Sequence, residues 1–323
     1  MTRHRTGLLL AAGTAVVSGI AIPFNTLGVK AVGNATLYTT AKNLVAGLLL
    51  VAIAIAVATH RASGPKPGAD VEKPADPREM PPLPRWRGVA AGVVLAVLGG
   101  AVPFVMFFEG LARATSADAN FLHKTLVVWV AILAVVFLRE RIRVLHVLAI
   151  ALLVAGQAAL VGHLPSVTLG SGELLVLGAT ALWSIEIVVA KRFLAWMAPS
   201  TAGAWRIAGG SVLLVAWSAA QRADLGALSG DAWMWIGVSG VLLTTYVATW
   251  FAALARAPAI DVTAVLTLGA LVSSVIAVAR GLQPVGAVAP GSLLLVAGAL
   301  ALLAGSRRTV EPVAPADDVV RSR

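Results

Sequence analysis

Leu111-Ala-Arg-Ala114, then Asp118, then an apolar run to Glu140 and on to Val154-Ala-Gly156: this stretch decides the fold, because the chain writes it twice. Shifted by 143 positions, Leu254-Ala-Arg-Ala257 opens a second copy, Asp261 takes the place of Asp118, and Ala277-Val278 match Ala134-Val135. After a one-residue slip, Val296-Ala-Gly298 answers Val154-Ala-Gly156. Short identities held at one offset, inside segments of equal hydropathy, mark an internal repeat. The chain is therefore read as a duplicated membrane unit.

Working outward, 59% of the 323 residues are hydrophobic and 12% charged, and the mean hydropathy is +0.88. That lies far above the balance of a soluble domain. A hydrocarbon core about 30 Å thick takes roughly 20 apolar helical residues per crossing, so the chain has material for about ten spans. Lipid leaves no partner for an open strand edge, so the spans must be helical. The expected fold is an all-α membrane protein of ten transmembrane helices. They are placed near 7–29, 35–58, 88–111, 116–138, 144–162, 172–192, 200–220, 232–254, 258–279 and 285–305. Arg3 and Arg5 precede the first apolar run, which is read as a span and not a signal peptide. Residues 1–162 form the first five-helix repeat, 163–305 the second, and 306–323 a polar tail.

The long connection over 60–87 holds seven prolines and mixed charges and is expected to be a disordered cytoplasmic loop. Its Asp70, Glu72, Asp76 and Glu79 are interleaved with Lys73 and Arg78, which suits a solvated linker better than a metal site. The absence of cysteine excludes disulfides and thiolate chemistry, and the five histidines show no ligand spacing. Neither metal nor cofactor is expected.

The net charge of +10 could suggest a nucleic-acid partner, but the basic residues sit at membrane edges, so none is expected. Of 25 Lys and Arg residues, 18 fall on the side of the amino terminus and 4 on the other. This bias puts both termini in the cytoplasm. Five spans per copy, an odd number, then turn the second copy upside down. Two inverted five-helix repeats are the architecture of secondary transporters, whose sites lie near the midplane between the halves.

Five spans plus five, Leu111-Ala-Arg-Ala-Thr-Ser-Ala117 entering the fourth, and Leu138-Arg-Glu-Arg141 closing it resemble the EamA type of the drug/metabolite transporter superfamily. The resemblance covers nearly the whole chain apart from the long loop and the tail. In that family the first and sixth spans tend to carry Trp-Gly with a Lys eight residues after the Trp. Trp183-Ser184 with Lys191 fits in the second copy, while Ile22-Pro23 with Lys30 keeps only the Lys. Glu140 becomes Gln283 in the second copy, and the proline common in the middle of the fourth span is missing around Val127. The resemblance implies a transporter.

An ionisable group inside a span costs roughly 2.5 to 3.5 kcal/mol on insertion scales, so each is a functional candidate. Glu186 has no basic residue three or four positions away on its own helix, and the Lys-anchored register makes Asn25 its repeat counterpart. A carboxyl at low dielectric resists ionisation, which suits exchange of a proton or pairing with a cation. Lys42 and Arg206 take matching places in the second and seventh spans, as anion-binding groups, as gates, or as anchors that snorkel to a surface. His123 and Lys124 lie two turns into the fourth span, and Asn120 shares a face with Lys124. The second copy has Leu266 and Thr267 there, so the fold does not demand this polarity.

The remaining polar groups read as structural. Glu109 and Arg113 stand at i, i+4 spacing as a surface pair. Asp118 and Asp261 open helices, Asp118 at capping-box spacing from Thr115. Glu140, flanked by Arg139, Arg141 and Arg143, reads as a membrane-edge ion-pair cluster. Pro23 and Pro103 are expected to kink their helices. The rows Ala155-xxx-Ala159 and Ala297-xxx-Ala301-xxx-Gly305 permit close helix contact, and with it a homodimer.

The chain lacks the Asp-rich, Gly-x-Ser-x-Gly and His-Glu-x-x-His motifs of membrane enzymes and has no P-loop, so no enzyme is expected. The reading is a secondary active transporter, exporting small polar metabolites such as amino-acid-like compounds or drugs by alternating access with proton entry. A flippase for a lipid or lipid-linked sugar is the alternative. Its partners are then a small-molecule substrate, protons and the lipid bilayer. The excess of Arg over Lys, 19 to 6, suggests a GC-rich bacterial genome and the plasma membrane.

Overall fold

The structure, a computed structural model, describes residues 2–63, 85–111, 113–114, 116–161, 170–222 and 228–307. These residues contain helices and no strand. Eight helical stretches are long and apolar enough to cross a membrane. The fifth expected span corresponds to a shorter apolar helix, Val144–Leu160. The seventh corresponds to an interrupted helical run from Pro199 to Ala220.

In chain order, α1 is Arg3–Val32 and α2 is Ala35–Ser63. The third stretch is α3, Arg85–Leu95, a π-helical turn at Ala96–Ala101, and α4, Val102–Leu111. The fourth is α5, Ser116–Lys124, α6, Leu126–Leu133, and a π turn at Ala134–Leu138. Then come α7, Val144–Val161, and α8, Ser171–Phe193. The run from Pro199 comprises α9, Pro199–Ala204, a π turn at Trp205–Gly209, and α10, Gly210–Ala220. The last are α11, Gly230–Leu254, α12, Ala259–Leu266, α13, Gly269–Ala279, and α14, Val285–Arg307.

Sequence chemistry accounts for the ends. The Thr2 hydroxyl accepts from Arg5 N to start α1, and Gly33, at φ 71°, ends it. The expected loop over 60–87 is corrected at its edges, since 60–63 continue α2 and 85–87 open α3. Nothing before Gly64 and Pro65 breaks that helix. The rest of the loop, residues 64–84, lies outside the described residues, as does the tail beyond Arg307. Pro23 is carried within α1, whereas Pro103 sits in the first turn of α4, directly after a π turn.

Packing follows a paired pattern. α1 packs on α11 and α13, and α8 packs on α4 and α6. α2 packs on α11, and the π turn at Trp205–Gly209 packs on the π turn at Ala96–Ala101. α7 packs along α14. Glycines set the closest crossings. A Cβ at Gly100 would fall on the Arg206 carbonyl oxygen, and one at Gly156 would meet the Gly291 carbonyl oxygen at 2.9 Å. Of the small-residue rows read as permitting close helix contact, a Cβ at Gly305 would meet Leu145 and His146 of α7 at 3.3 Å. Ala155 and Ala297 are exposed, while Gly156, Gly291 and Gly298 make the close contacts between α7 and α14 within one chain. Only glycine lets two helical backbones approach so closely.

The end of the molecule bearing Arg3 is tied by polar bonds between distant segments. Lys191 Nζ donates to the Leu254 and Ala257 carbonyls, and Arg192 to the Phe137 carbonyl. Asp261 bridges His4 Nε2 at 3.0 Å and His146 Nε2 at 3.4 Å. The Glu140 carboxylate accepts from Ala259 N at 2.8 Å and Ile260 N at 3.1 Å. Glu140 therefore caps the amino end of α12, and the ion-pair cluster with its arginine neighbours is corrected. Two free N–H groups at a helix start are stronger partners for a fixed carboxylate than mobile surface guanidinium groups. Glu109 and Arg113 do pair, at 2.8 Å.

Burial outweighs the two amide bonds and the nearby Lys191 charge, and holds the Glu140 carboxyl above its usual range. A carboxyl raised in this way adds stability at low pH that is lost as pH rises through its folded value. The thermal midpoint of the unchanged protein, measured relative to Glu140→Gln, is therefore expected to fall as pH climbs from about 4.3 through the raised range. A difference that stays flat with pH would contradict this.

Candidate substrate site

Hydrophobic helices bury side chains without selecting among them, so the buried polar groups define the site. Lys42 and Arg206 are 4% and 7% exposed, turned inward and not snorkelled to a surface. Both line a cavity of about 220 Å³, as do Asn25, His123 and Lys124. The cavity draws on the half of α1 remote from Arg3, on the start of α2, and on α4, α5, α8 and α11. It thus lies between the tied end and the opposite face.

Lys42 Nζ reaches Asn25 Oδ1 at 3.3 Å and stands 5.1 Å from the Tyr38 ring centroid and 5.4 Å from that of Phe108. The Tyr38 hydroxyl donates to Asn25 Oδ1 at 2.8 Å and meets Ser239 Oγ at 2.6 Å. Among the described residues, no carboxylate pairs with Lys42 or Lys124.

Glu186, 1% exposed, stands behind the lining. Its Oε1 lies 3.5 Å from Arg206 Nε. Charge compensation is close, yet neither carboxylate oxygen nor Arg206 Nε has a hydrogen-bond partner among the described residues. The pair fits because the neighbour is Gly99, where a Cβ would meet both groups at 2.8 Å. Arg206 itself rides on the π turn at Trp205–Gly209, a distortion frequent at functional sites. Trp183 Nε1 donates to the Gly99 carbonyl at 3.1 Å and so holds the same spot from the other side.

Aromatic groups form one wall. The Trp183 ring centroid lies 5.0 Å from that of His123, 5.4 Å from Phe104 and 5.5 Å from Phe107. Buried His123 Nδ1 has no hydrogen-bond partner among the described residues. A second cavity of about 290 Å³ lies between α1, α5, α7 and α13 and shares Ile22 and Lys124 with the first.

Of the seven expected site residues, the structure brings Asn25, Lys42, His123, Lys124 and Arg206 to one cavity and sets Glu186 against Arg206. The Asn120 side chain lies outside the described residues. Sequence reasoning missed Tyr38, Ser239 and the aromatic wall. One signal was available: the chain has two tyrosines, of which Tyr38 bonds Asn25 and Tyr246 lines the cavity.

No curated protein sequence matches the chain. A solved structure, described only as the crystal structure of a protein, is similar at 18% identity and a TM-score of 0.72, over 95% of this chain and 100% of that one. That likeness concerns the fold. The profile of the EamA-like transporter family matches twice, at residues 5–162 and 170–305, so that almost all of the helical chain is accounted for. The chain belongs to the EamA-like transporter family, within the drug/metabolite transporter superfamily.

Proposed function

We propose that this membrane transporter is a secondary active exporter of small polar metabolites, working by alternating access and driven by proton entry. The observation that carries the proposal is the Glu186–Arg206 pair at 3.5 Å, buried directly behind a cavity that Asn25, Lys42 and Lys124 line. An acid held by a cation next to a substrate space gives proton and substrate a shared group to compete for.

Ten spans in two inverted repeats, divided near residue 162, complete the reading. The paired packing supports it. Exchanging each span of one half for its partner in the other turns α1 on α11 into α8 on α4, α1 on α13 into α8 on α6, and leaves α7 on α14 unchanged. A two-fold relation between halves has this property. The tied end and the cavity on the opposite side of it match an outward-facing stage of the cycle. The charge bias supports cytoplasmic termini, and the bacterial plasma membrane remains part of the proposal. Among the described residues, nothing favours lipid flipping over small-molecule transport.

The test uses inside-out membrane vesicles containing the protein, a cell metabolite extract and an imposed pH gradient, with mass spectrometry of what accumulates. A compound enriched only with the unmodified protein, and only with the gradient, is expected. Glu186→Gln vesicles should lose the dependence on the gradient. Unchanged gradient dependence in Glu186→Gln would remove the assignment of the coupling group.

A further inference from the structure

The charges around the cavities do not balance, and the imbalance has a chemical meaning. The main cavity carries Lys42, Lys124 and Arg206, and among the described residues only Arg206 of these has a carboxylate partner, Glu186. The second cavity shares Lys124 with the first and adds Arg280. Among the described residues, neither lining contains a carboxylate. A substrate passing from one cavity to the other thus meets cations at each stage and no acid free to receive an ammonium group.

A cation in an apolar bundle is costly unless something neutralises it. Lys42 gets one amide oxygen, at 3.3 Å, and two ring faces, a weak substitute for a counter-ion. Space and wall chemistry narrow the ligand further. An apolar cavity of about 150 Å³ accepts benzene, so about 220 Å³ accommodates one ring bearing an acid group. Phe107, Trp183, Tyr246 and Trp250 present the faces and edges against which such a ring packs.

We infer that the substrate is a small aromatic organic anion without a free ammonium group, its acid group held between Lys42 and Lys124 and its ring against the aromatic wall. Arg280 and Lys124 mark its route through the second cavity, between α1, α5, α7 and α13. This rests on the transporter reading above and narrows its polar metabolites to one charge class.

The experiment takes four matched probes: benzenesulfonate, benzenesulfonamide, benzyltrimethylammonium and phenylalanine. Their binding to the purified full chain is followed by the fluorescence of its tryptophans. Benzenesulfonate should bind at least about tenfold more tightly than the other three, the scale of a charge-assisted hydrogen bond. Lys42→Gln and Lys124→Gln should each remove that preference, while Lys42→Arg and Lys124→Arg keep most of it. Size-exclusion profile and thermal midpoint identify any variant that fails to fold, and the Arg variants then carry the decision. Equal binding of all four probes, tighter binding of the zwitterion or the cation, or no binding at all would overturn the inference. Flux of the same probes into proteoliposomes separates the two levels. Binding of the anion without flux sinks the transporter reading alone, whereas flux of phenylalanine but not of benzenesulfonate sinks the charge class alone.

Discussion

Replacing Arg206 by Gln is expected to destabilise the protein by about 3 to 5 kcal/mol, the usual cost of leaving one member of a buried ion pair uncompensated. Glu186 is 1% exposed, and neither of its oxygens has a hydrogen-bond donor among the described residues. The guanidinium 3.5 Å away is thus its compensation. The converse change, Glu186→Gln, should cost less. Arg206 lines the cavity and can turn its remaining N–H groups toward that space. Two neutral amides should restore most of the loss, so the double variant is expected to be more stable than Arg206→Gln alone. Thermal or denaturant unfolding of the four proteins in one detergent closes the double-mutant cycle. A coupling near zero would mean that the pair is proximity without interaction. In that event the proposed coupling site would lose its physical basis.

What the sequence disclosed follows from what hydropathy and charge can report. The repeat beginning at Leu111 and Leu254 was legible because span positions are local properties of composition. Asn25, Lys42, His123, Lys124 and Arg206 were legible because polarity inside an apolar run is expensive and so has a reason. The aromatic wall was not, since Phe104 and Phe107 sit among apolar residues with no pattern to separate those that face a cavity from those that face lipid, and Trp183 was marked only by its place in the family's Trp motif. Glu140 misled for another reason. Its partners are amides 119 and 120 positions away, while three arginines stand beside it in the chain. The close α7–α14 contact was only partly legible. Ala and Gly count alike in hydropathy, yet the α7–α14 contact depends on the missing Cβ at Gly156 and Gly291.

The same steric argument yields the second large effect, at the crossing of the two π turns. A methyl group at Gly100 would overlap the Arg206 carbonyl oxygen, and one at Gly210 would lie 2.5 Å from the Gly100 carbonyl carbon and oxygen. Both obstacles are backbone, so no side chain can rotate away. Overfilling a packed interior typically costs 1 to 3 kcal/mol and sometimes more. Gly100→Ala should fall at the upper end of about that range and Gly100→Val beyond it, because separating the turns also moves Arg206 away from Glu186. Gly237→Ala is the matched control. Nothing lies within 4 Å of a Cβ there, so the gain in helix propensity should leave it neutral or stabilised by up to about 1 kcal/mol. Thermal midpoints of Gly100→Ala and Gly237→Ala, read with the Arg206→Gln series, test whether the crossing holds the ion pair in place. If Gly100→Ala were as stable as the unmodified protein and kept the Glu186–Arg206 coupling, the turns would have to meet less closely than this packing requires.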